Sequence, residues 1–300
     1  MVVTLVAGCT VPEWSGLRMA PGTPGESALS NPAKAVLARY LPHRADDPEF
    51  QALVEAVLRS SRGQKIALES GRTTGELDAI RQEMQRRGLP PVFIGIPMWE
   101  SYLDTEAVSY ACAAGAWQLM PETAIEFGLA VQDCDLGGST WSPEPGTVAS
   151  PDSPYRAGDR CAIRACAIDD RKDLARSTVA ALDLLTRWYD APDLVPNPDR
   201  AALTVLSYNT GLGAARQAVS RTSDPFAELQ RCARGECEYL GKQGAMYVPG
   251  VTASAALSTC GAAFAPDSPF ADEAQTTLCQ SLADHGLLPR DEPAAIADAE

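Results

Sequence analysis

The chain has 300 residues, of which 45% are hydrophobic, and its formal net charge is −14. This composition supports a sizeable hydrophobic core, in one large domain or two small ones. Acidic residues are spread along the chain and no Lys/Arg-rich run is present, which argues against a nucleic-acid partner. No apolar run approaches the length of a membrane-spanning helix, so the sequence as given excludes a transmembrane segment.

Residues 1–31 are predicted to be a truncated lipoprotein signal followed by a flexible tether. The segment "LVAGC", which ends at Cys9, follows a short apolar start. Small residues before a cysteine are the pattern that lipoprotein processing recognises, so Cys9 is a predicted lipidation site, with a chance match as the alternative. The segment lacks the basic start and the full apolar length of a secretory signal. Residues 10–31 are rich in Pro, Gly and Ser, as flexible linkers are.

The next part of the chain, residues 32–285, is predicted to be an almost entirely helical domain. Apolar residues recur at helical spacing, and several segments begin or end at Pro, Thr or Gly. The predicted helices lie at residues 46–61, 73–91, 120–129, 173–190, 198–219, 223–232 and 270–286. The apolar segment 90–101 is predicted to be a buried helix with Glu100 at its C-terminal end, and a short buried strand is the alternative.

Residues 130–168 interrupt the helical pattern. They are rich in Pro, Ser, Gly and Asp, have little periodicity and contain Cys134, Cys161 and Cys166. A loop of this length needs a function or a covalent staple, so we predict a disulfide-stapled insertion. Residues 286–300 are predicted to be an acidic tail. The predicted fold class is therefore mainly α, a helical domain with a long cysteine-containing loop insertion.

The cysteines favour disulfides over a metal site. The chain has nine cysteines. Without Cys9 the remaining eight form an even number, as expected for disulfides in an oxidising compartment: Cys112, Cys134, Cys161, Cys166, Cys232, Cys237, Cys260 and Cys279. Zinc is the alternative for two pairs, Cys161/Cys166 and Cys232/Cys237, whose spacing is at the upper limit of that seen between zinc ligands. No histidine joins either pair. No metal is predicted, and the disulfide pairing stays open.

Glu100 stands out because it ends an apolar segment. Burying an ionised carboxylate is costly unless it is paired, so such a group tends to stay protonated or to have a task. With Met98 and Trp99 beside it, its carboxyl is expected to hold its proton more tightly than a carboxyl in water, as a general acid requires. A surface position at a helix end is the alternative.

Three blocks, in order along the chain, carry a resemblance to a known family. They are "PMWES" at residues 97–101, "GAWQLMPETA" at 115–124 and "LSYNTG" at 206–211. Together they resemble the catalytic SLT domain of lytic transglycosylases of the goose-lysozyme-like type, and the branch closest in pattern is membrane-bound lytic transglycosylase D. The flanks agree, among them "YVPG" at Tyr247–Gly250, and the resemblance covers about residues 68–257.

This resemblance implies a lysozyme-like fold and a reaction on peptidoglycan. Such enzymes cleave the β-1,4 bond between N-acetylmuramic acid and N-acetylglucosamine and form a 1,6-anhydromuramic end without water. One glutamate, here Glu100, acts first as acid and then as base, and no cofactor is implied. The implied partners are peptidoglycan glycan strands and, through a lipid anchor at Cys9, a membrane. The implied location is the periplasmic face of the cell envelope, as an outer-membrane lipoprotein.

The resemblance also implies substrate-binding roles for Ser101, Gln118, Met120, Tyr208 and Asn209. Ser101 would orient the substrate or the glutamate, with helix capping as its alternative. Gln118 and Met120 would line the groove, Gln118 by hydrogen bonds to an acetamido group, and a core position is the alternative for Met120. Tyr208 would place its hydroxyl near Glu100 and the sugar. Asn209, as a buried amide that needs partners, would tie the third block to the first.

One departure from the family pattern keeps other functions open. Cys112 stands where the family has glycine, and we expect a turn held by a disulfide, for which the cysteine-rich insertion could supply the partner; a distorted groove is the alternative. The other functions are a muramidase-type hydrolase of the same fold and a catalytically silent, glycan-binding envelope lipoprotein. Glu100, Gln118 and Tyr208 together argue against the silent protein, because a pure binder needs no proton donor.

Overall fold

The computed structural model describes residues 31–144, 161–221, 224, 242–263 and 273–288. The predicted signal and tether with Cys9, the predicted helix at 223–232 and nearly all of the predicted acidic tail lie outside these ranges. Within them, no helix combines the length and the apolar character needed to span a bilayer.

The described chain is mainly helical, which confirms the predicted fold class. The helices are α1 Pro32–Tyr40, α2 Pro48–Leu58, α3 Ser61–Arg72, α4 Thr74–Arg86, α5 Gly95–Ser101, α6 Pro121–Glu126, α7 Leu174–Tyr189, α8 Arg200–Thr210, α9 Leu212–Arg221, α10 Lys242–Ala263 and α11 Glu273–Asp284. The predicted helices that fall within the described residues are present, and the buried segment before Glu100 is an α-helix from Gly95 onwards. The segment predicted as one helix at 198–219 is instead two helices, α8 and α9, because Gly211, which follows the last residue of α8, has φ +79°. Three helices were not predicted, namely α1, α3 and α10.

Side-chain caps explain where several helices begin. The Asp47 carboxylate accepts hydrogen bonds from the backbone N–H groups of Glu49 and Phe50 at the start of α2, where Pro48 occupies the first turn. Asp173 caps α7 in the same way through the N–H of Arg176. These acceptors satisfy N–H groups that have no partner inside the helix.

Helix α10 forms the centre of the core. It packs against α1, α2, α3, α5, α8 and α11, and all residues from 247 to 260 are buried. A helix buried on every side has no polar face, so its sequence lacks the apolar stripe that indicates a surface helix. It also contains Pro249 and Gly250, which sequence rules treat as helix breakers. These two features explain why the helix was not predicted.

Two glycines let α5 approach α10 closely. A Cβ atom on Gly95 of α5 would lie 2.0 Å from the carbonyl oxygen of Val251 on α10. A Cβ atom on Gly250 of α10 would lie 2.5 Å from the ring of Trp99 on α5. Neither position can hold a larger residue unless a backbone or a buried ring moves. The short helix that carries Glu100 is therefore seated directly on the central helix.

The insertion contains a small antiparallel sheet in the order β2-β1-β3. Its strands are β1 Val131–Asp135, β2 Thr140–Trp141 and β3 Ala165–Asp169. The prediction of a continuous loop was wrong for these residues. The strands are short, and β2 and β3 have no buried residue, so they lack the alternation that would indicate a strand. The predicted staple is present, because Cys134 of β1 pairs directly with Cys166 of β3 and is bonded to it.

Three disulfides join described cysteines: Cys112–Cys161, Cys134–Cys166 and Cys260–Cys279. The preference for disulfides is confirmed for these six residues. Cys161 and Cys166, one of the two candidate zinc pairs, belong to different disulfides. Cys232 and Cys237 lie outside the described residues, and within those residues no group of His, Cys, Asp and Glu is arranged to hold a metal ion.

We expect Gly95→Ala to destabilise the fold by about 1–3 kcal/mol or more, because the added methyl group overlaps the backbone of α10. Gly71→Ala is the matched control: Gly71 lies in α3 with open space around the position of a Cβ, and this change should be neutral or stabilise by up to about 1 kcal/mol. Urea unfolding of both variants measures the difference. Equal stability of the two variants would contradict the close approach of α5 to α10.

Candidate active site

Glu100 is buried at the C-terminal end of α5, with 8% of its surface exposed. Met98 and Trp99, the apolar neighbours noted in the sequence, are buried as well. The guanidinium group of Arg62 lies 4.1 Å from the centre of the Trp99 ring and donates a hydrogen bond to the Trp99 carbonyl oxygen. A cation at a helix C-terminus is favourable, so Arg62 stabilises the end of α5 where Glu100 is placed.

The hydroxyl group that contacts Glu100 belongs to Tyr247. It donates a hydrogen bond of 2.5 Å to Oε1 of Glu100, and the Tyr247 side chain is buried. Sequence reasoning placed Tyr247 only in the flanking motif "YVPG" and assigned it no role. That motif was the available signal, but α10 was not recognised as a helix, so nothing indicated that Tyr247 would face α5.

Tyr208 is also buried, but its hydroxyl has a different partner. It donates a hydrogen bond of 2.7 Å to the carbonyl oxygen of Trp117. Burial raises the pKa of Tyr208 well above its ordinary value of 10.0, and the negative charge of Glu100 raises it further. Tyr208 therefore lies within electrostatic reach of Glu100, stays protonated, and holds the segment that contains Trp117.

The backbone around the site is unusual. Five non-glycine residues in the described chain have positive φ, and four of them lie between residues 102 and 118: Tyr102, Leu103, Cys112 and Gln118. Left-handed backbone costs about 1–2 kcal/mol per non-glycine residue and persists only where the surroundings impose it. Such residues concentrate at functional sites. Tyr102 and Leu103 end α5 directly after Ser101, and the other two shape the following turn.

We call residues 112–120 the binding turn, because it carries Gln118 and Met120. Three side chains from other parts of the chain hold its middle. Ser101 Oγ donates to the carbonyl oxygen of Ala116 at 2.8 Å, the Trp117 indole N–H donates to Oγ1 of Thr178 on α7 at 2.9 Å, and Tyr208 binds the Trp117 carbonyl oxygen. Trp117 is fully buried.

A buried arginine holds both ends of the binding turn. Nη1 of Arg171 donates to the carbonyl oxygens of Cys112 at 2.5 Å and Leu119 at 3.3 Å. The other side of the guanidinium forms two hydrogen bonds with the Asp169 carboxylate, at 2.7 and 2.8 Å. Gly115 faces this residue so closely that a Cβ there would lie 1.8 Å from the Arg171 carbonyl oxygen. No role was predicted for Arg171 from the sequence.

The structure restricts what Gln118 can bind. Its Nε2 donates to the carbonyl oxygens of Ala107 at 3.2 Å and Gly115 at 2.9 Å. Because both neighbours are acceptors, the amide nitrogen must face them, and both of its N–H bonds are used. Among the described residues the amide oxygen has no donor, so Gln118 can offer an acceptor to a ligand. It is partly exposed.

Met120 and Asn209 are buried beside these groups. Met120 precedes Pro121 at the start of α6, and Asn209 follows Tyr208 on α8. The tie that sequence reasoning expected from Asn209 to the first motif is not seen: in the described part of the chain, its side chain forms no hydrogen bond. The fold thus joins Glu100, Ser101, the binding turn and Tyr208, while the roles of Met120 and Asn209 stay predictions.

Comparisons with known proteins cover part of this site. Residues 78–144 match the family model described as "Transglycosylase SLT domain". The chain is 27% identical over 143 residues to membrane-bound lytic murein transglycosylase D of Escherichia coli (strain K12), an alignment that covers 47% of this chain and 23% of the relative. The protein of the same name from Escherichia coli O6:H1 (strain CFT073) gives the same values.

The chain thus spans 23% of the length of these relatives. The segment that matches the family model includes Glu100, Ser101, Gln118 and Met120, and it ends before α8 and α10. The predicted resemblance is confirmed for this segment: residues 78–144 are similar to the SLT domain of transglycosylases.

The Cys112–Cys161 disulfide generates a prediction about strain. Cys112 has φ +71°, where glycine is favoured. Cys112→Gly combined with Cys161→Ser should be about 1 kcal/mol more stable than Cys112→Ala combined with Cys161→Ser, because both pairs lose the same disulfide and only alanine retains the strain. Denaturant unfolding of the two double variants measures this difference. If the alanine pair is the more stable, the left-handed conformation at residue 112 is contradicted.

Proposed function

We propose that this SLT-type domain is a peptidoglycan lytic transglycosylase that cleaves the β-1,4 bond between N-acetylmuramic acid and N-acetylglucosamine. The observation that carries the proposal is the buried carboxyl of Glu100, which ends α5 and accepts a short hydrogen bond from Tyr247. It lies in the segment that matches the transglycosylase family model. The names of the two relatives, which describe murein transglycosylases, support the choice of substrate.

Glu100 would act first as acid and then as base. The protonated carboxyl gives its proton to the glycosidic oxygen, the bond from that oxygen to C1 of the muramic residue breaks, and N-acetylglucosamine leaves with a free 4-hydroxyl. The carboxylate then takes the proton of the muramic C6 hydroxyl as that oxygen bonds to C1. Glu100 is therefore protonated again at the end of the cycle, no water is consumed, and the product ends in a 1,6-anhydromuramic residue.

Tyr247 would assist the second half of this cycle. A phenol that donates a hydrogen bond to a carboxylate stabilises the ionised form, which is the form present after the first proton transfer. Burial of the Glu100 carboxyl favours the protonated form that begins the cycle. The two influences oppose each other, as a group that must both release and accept a proton requires.

The distribution of the other acids favours transglycosylation over hydrolysis. Glycosidases that use water normally need a second carboxylate near the scissile bond. Among the described residues, the buried acids are Glu100 and Asp199, and Asp199 begins α8 in a charged pair with Arg44. Asp104, four residues after Glu100, is exposed and accepts a hydrogen bond from the N–H of Glu106. A substrate hydroxyl as the nucleophile removes the need for a second acid.

The glycan would bind along the binding turn. Within the described residues, neither the amide oxygen of Gln118 nor the side-chain amide of Asn209 has a hydrogen-bond partner, so the Gln118 oxygen can accept a hydrogen bond from the N–H of an acetamido group. Met120 offers an apolar contact for a sugar face. Ser101 would act through the turn, because its hydroxyl is committed to the Ala116 carbonyl oxygen.

The proposed location is the periplasmic face of the cell envelope. Three disulfides support an oxidising compartment, and the relatives are named as membrane-bound. We propose that Cys9 carries a lipid anchor to the outer membrane. This residue lies outside the described part of the chain, so the proposal rests on the "LVAGC" motif.

Glu100→Gln should lower the release of anhydromuropeptides by a factor of at least about 10², because an amide cannot act as the general acid. Binding to purified sacculi should stay near the level of the unmodified protein. Glu126→Gln, at a surface ion pair with Arg187, is the matched control and should keep full activity. Mass spectrometry of the digest gives the readout.

The same digest separates the alternatives. Reducing ends in place of anhydro ends would indicate a muramidase, and binding without any cleavage would indicate a silent glycan-binding protein. A Glu100→Gln variant that releases anhydro ends at the original rate would contradict the assignment of Glu100 as the acid.

Tyr247→Phe should move the alkaline limb of the pH–activity profile to higher pH. Loss of the donated hydrogen bond makes the ionised form of Glu100 less favourable, so the acid stays protonated to higher pH. Activity at the optimum should fall about tenfold or more, as expected for the loss of a hydrogen bond to a charged group.

Tyr208→Phe provides the comparison for this change. It removes the same atom from a tyrosine that binds the Trp117 carbonyl oxygen instead. It should cost about 1–3 kcal/mol of stability and leave the position of the profile unchanged. Rate measurements from acid to alkaline pH test both variants, and identical profiles for Tyr247→Phe and the unmodified protein would contradict the role of Tyr247.

A further inference from the structure

We infer that Arg171 is a positioning residue that sets the binding turn relative to Glu100, and that Asp169 holds Arg171 in place for this task. The inference rests on the proposed function, because it assigns a role within the same site. The evidence comes from the geometry of one buried guanidinium group.

Arg171 is 2% exposed, and its guanidinium bridges two parts of the chain. One side binds both oxygens of Asp169, the last residue of β3, and the other side binds the carbonyl oxygens of Cys112 and Leu119. A planar group with donors on two sides is needed for this arrangement. Lysine offers a single charged point and cannot form both sets of bonds.

The contacts of Arg171 fall at the two ends of the binding turn. Leu119 is adjacent to Gln118, and the Gln118 side chain donates hydrogen bonds to the backbone carbonyl oxygens of Ala107 and Gly115. Gly115 packs against the Arg171 backbone with no room for a Cβ. A shift of Arg171 therefore moves Gln118, the residue that offers an acceptor to the glycan.

Arg171 and the proposed acid, Glu100, are held in place by different parts of the structure. Glu100 and Tyr247 are held by the packing of α5 on α10, and the hydrogen bonds of Arg171 in the described residues go to neither helix. Replacing Arg171 should thus disturb glycan binding and leave the proton chemistry of Glu100 intact. A residue that only stabilised the fold would instead reduce the amount of active enzyme.

The test separates KM from kcat. With soluble glycan strands as substrate, Arg171→Lys should raise KM about tenfold, the factor expected when the hydrogen bond from the glycan to Gln118 is lost. The kcat value and the pH–activity profile should stay close to those of the unmodified protein. Asp169→Asn keeps the arginine but weakens its charged partner, and it should raise KM by a smaller factor.

Arg176→Lys is the matched control. Arg176 lies five residues further along, also pairs with an aspartate, Asp170, and is 61% exposed. Its replacement by lysine should leave both kinetic constants unchanged. Circular dichroism and thermal unfolding of every variant establish that the proteins compared are folded.

Each outcome decides the inference. A fall in kcat at unchanged KM, or unchanged constants in Arg171→Lys, overturns it. If Arg171→Lys does not fold, Asp169→Asn decides: a raised KM supports the inference and an unchanged KM overturns it. If the unmodified protein releases no anhydro ends, the proposed function fails separately, and the Kd for glycan strands is measured in place of KM. Weaker binding in the Arg171 and Asp169 variants, but not in the Arg176 variant, then supports the positioning role. Equal binding in all variants overturns it.

Discussion

The close contact between α5 and α10 is the constraint on which the site depends. Gly95 and Gly250 remove the side chains that would separate the two helices. At this distance the Tyr247 hydroxyl reaches the buried carboxyl of Glu100. An acid buried without such a donor would carry the full cost of its ionised form. Helix packing therefore sets the chemical surroundings of the proposed catalytic group.

The second constraint is the strained backbone of the binding turn. Cys112 and Gln118 adopt left-handed conformations that neither residue favours by itself. The strain is offset by contacts from distant parts of the chain: a disulfide to Cys161, the guanidinium of Arg171, and the Tyr208 hydroxyl. The insertion thus contributes directly to the shape of the site. Its small sheet places Asp169, and Asp169 holds the arginine.

Sequence reasoning succeeded where a local pattern reflects a local structure. Helices with one apolar face, such as α7, show a stripe and a cap, and both were predicted. Glu100 was found because an acid in an apolar segment is unusual, and the glycine-to-cysteine departure at residue 112 pointed correctly to a disulfide. It failed at α10, whose fully buried surface leaves no periodic signal, and at the exposed strands of the insertion.

The sequence by itself determined the mainly helical class and the family resemblance, and it singled out Glu100 as the candidate acid, because these depend on residue type and on spacing over a few turns. Only the tertiary structure decided which hydroxyl meets that acid and which cation shapes the turn beside it. Tyr247 lies 147 positions from Glu100, and Arg171 lies 59 positions from Cys112. Contacts over such separations are set by how buried surfaces fit together, and no local pattern encodes that fit.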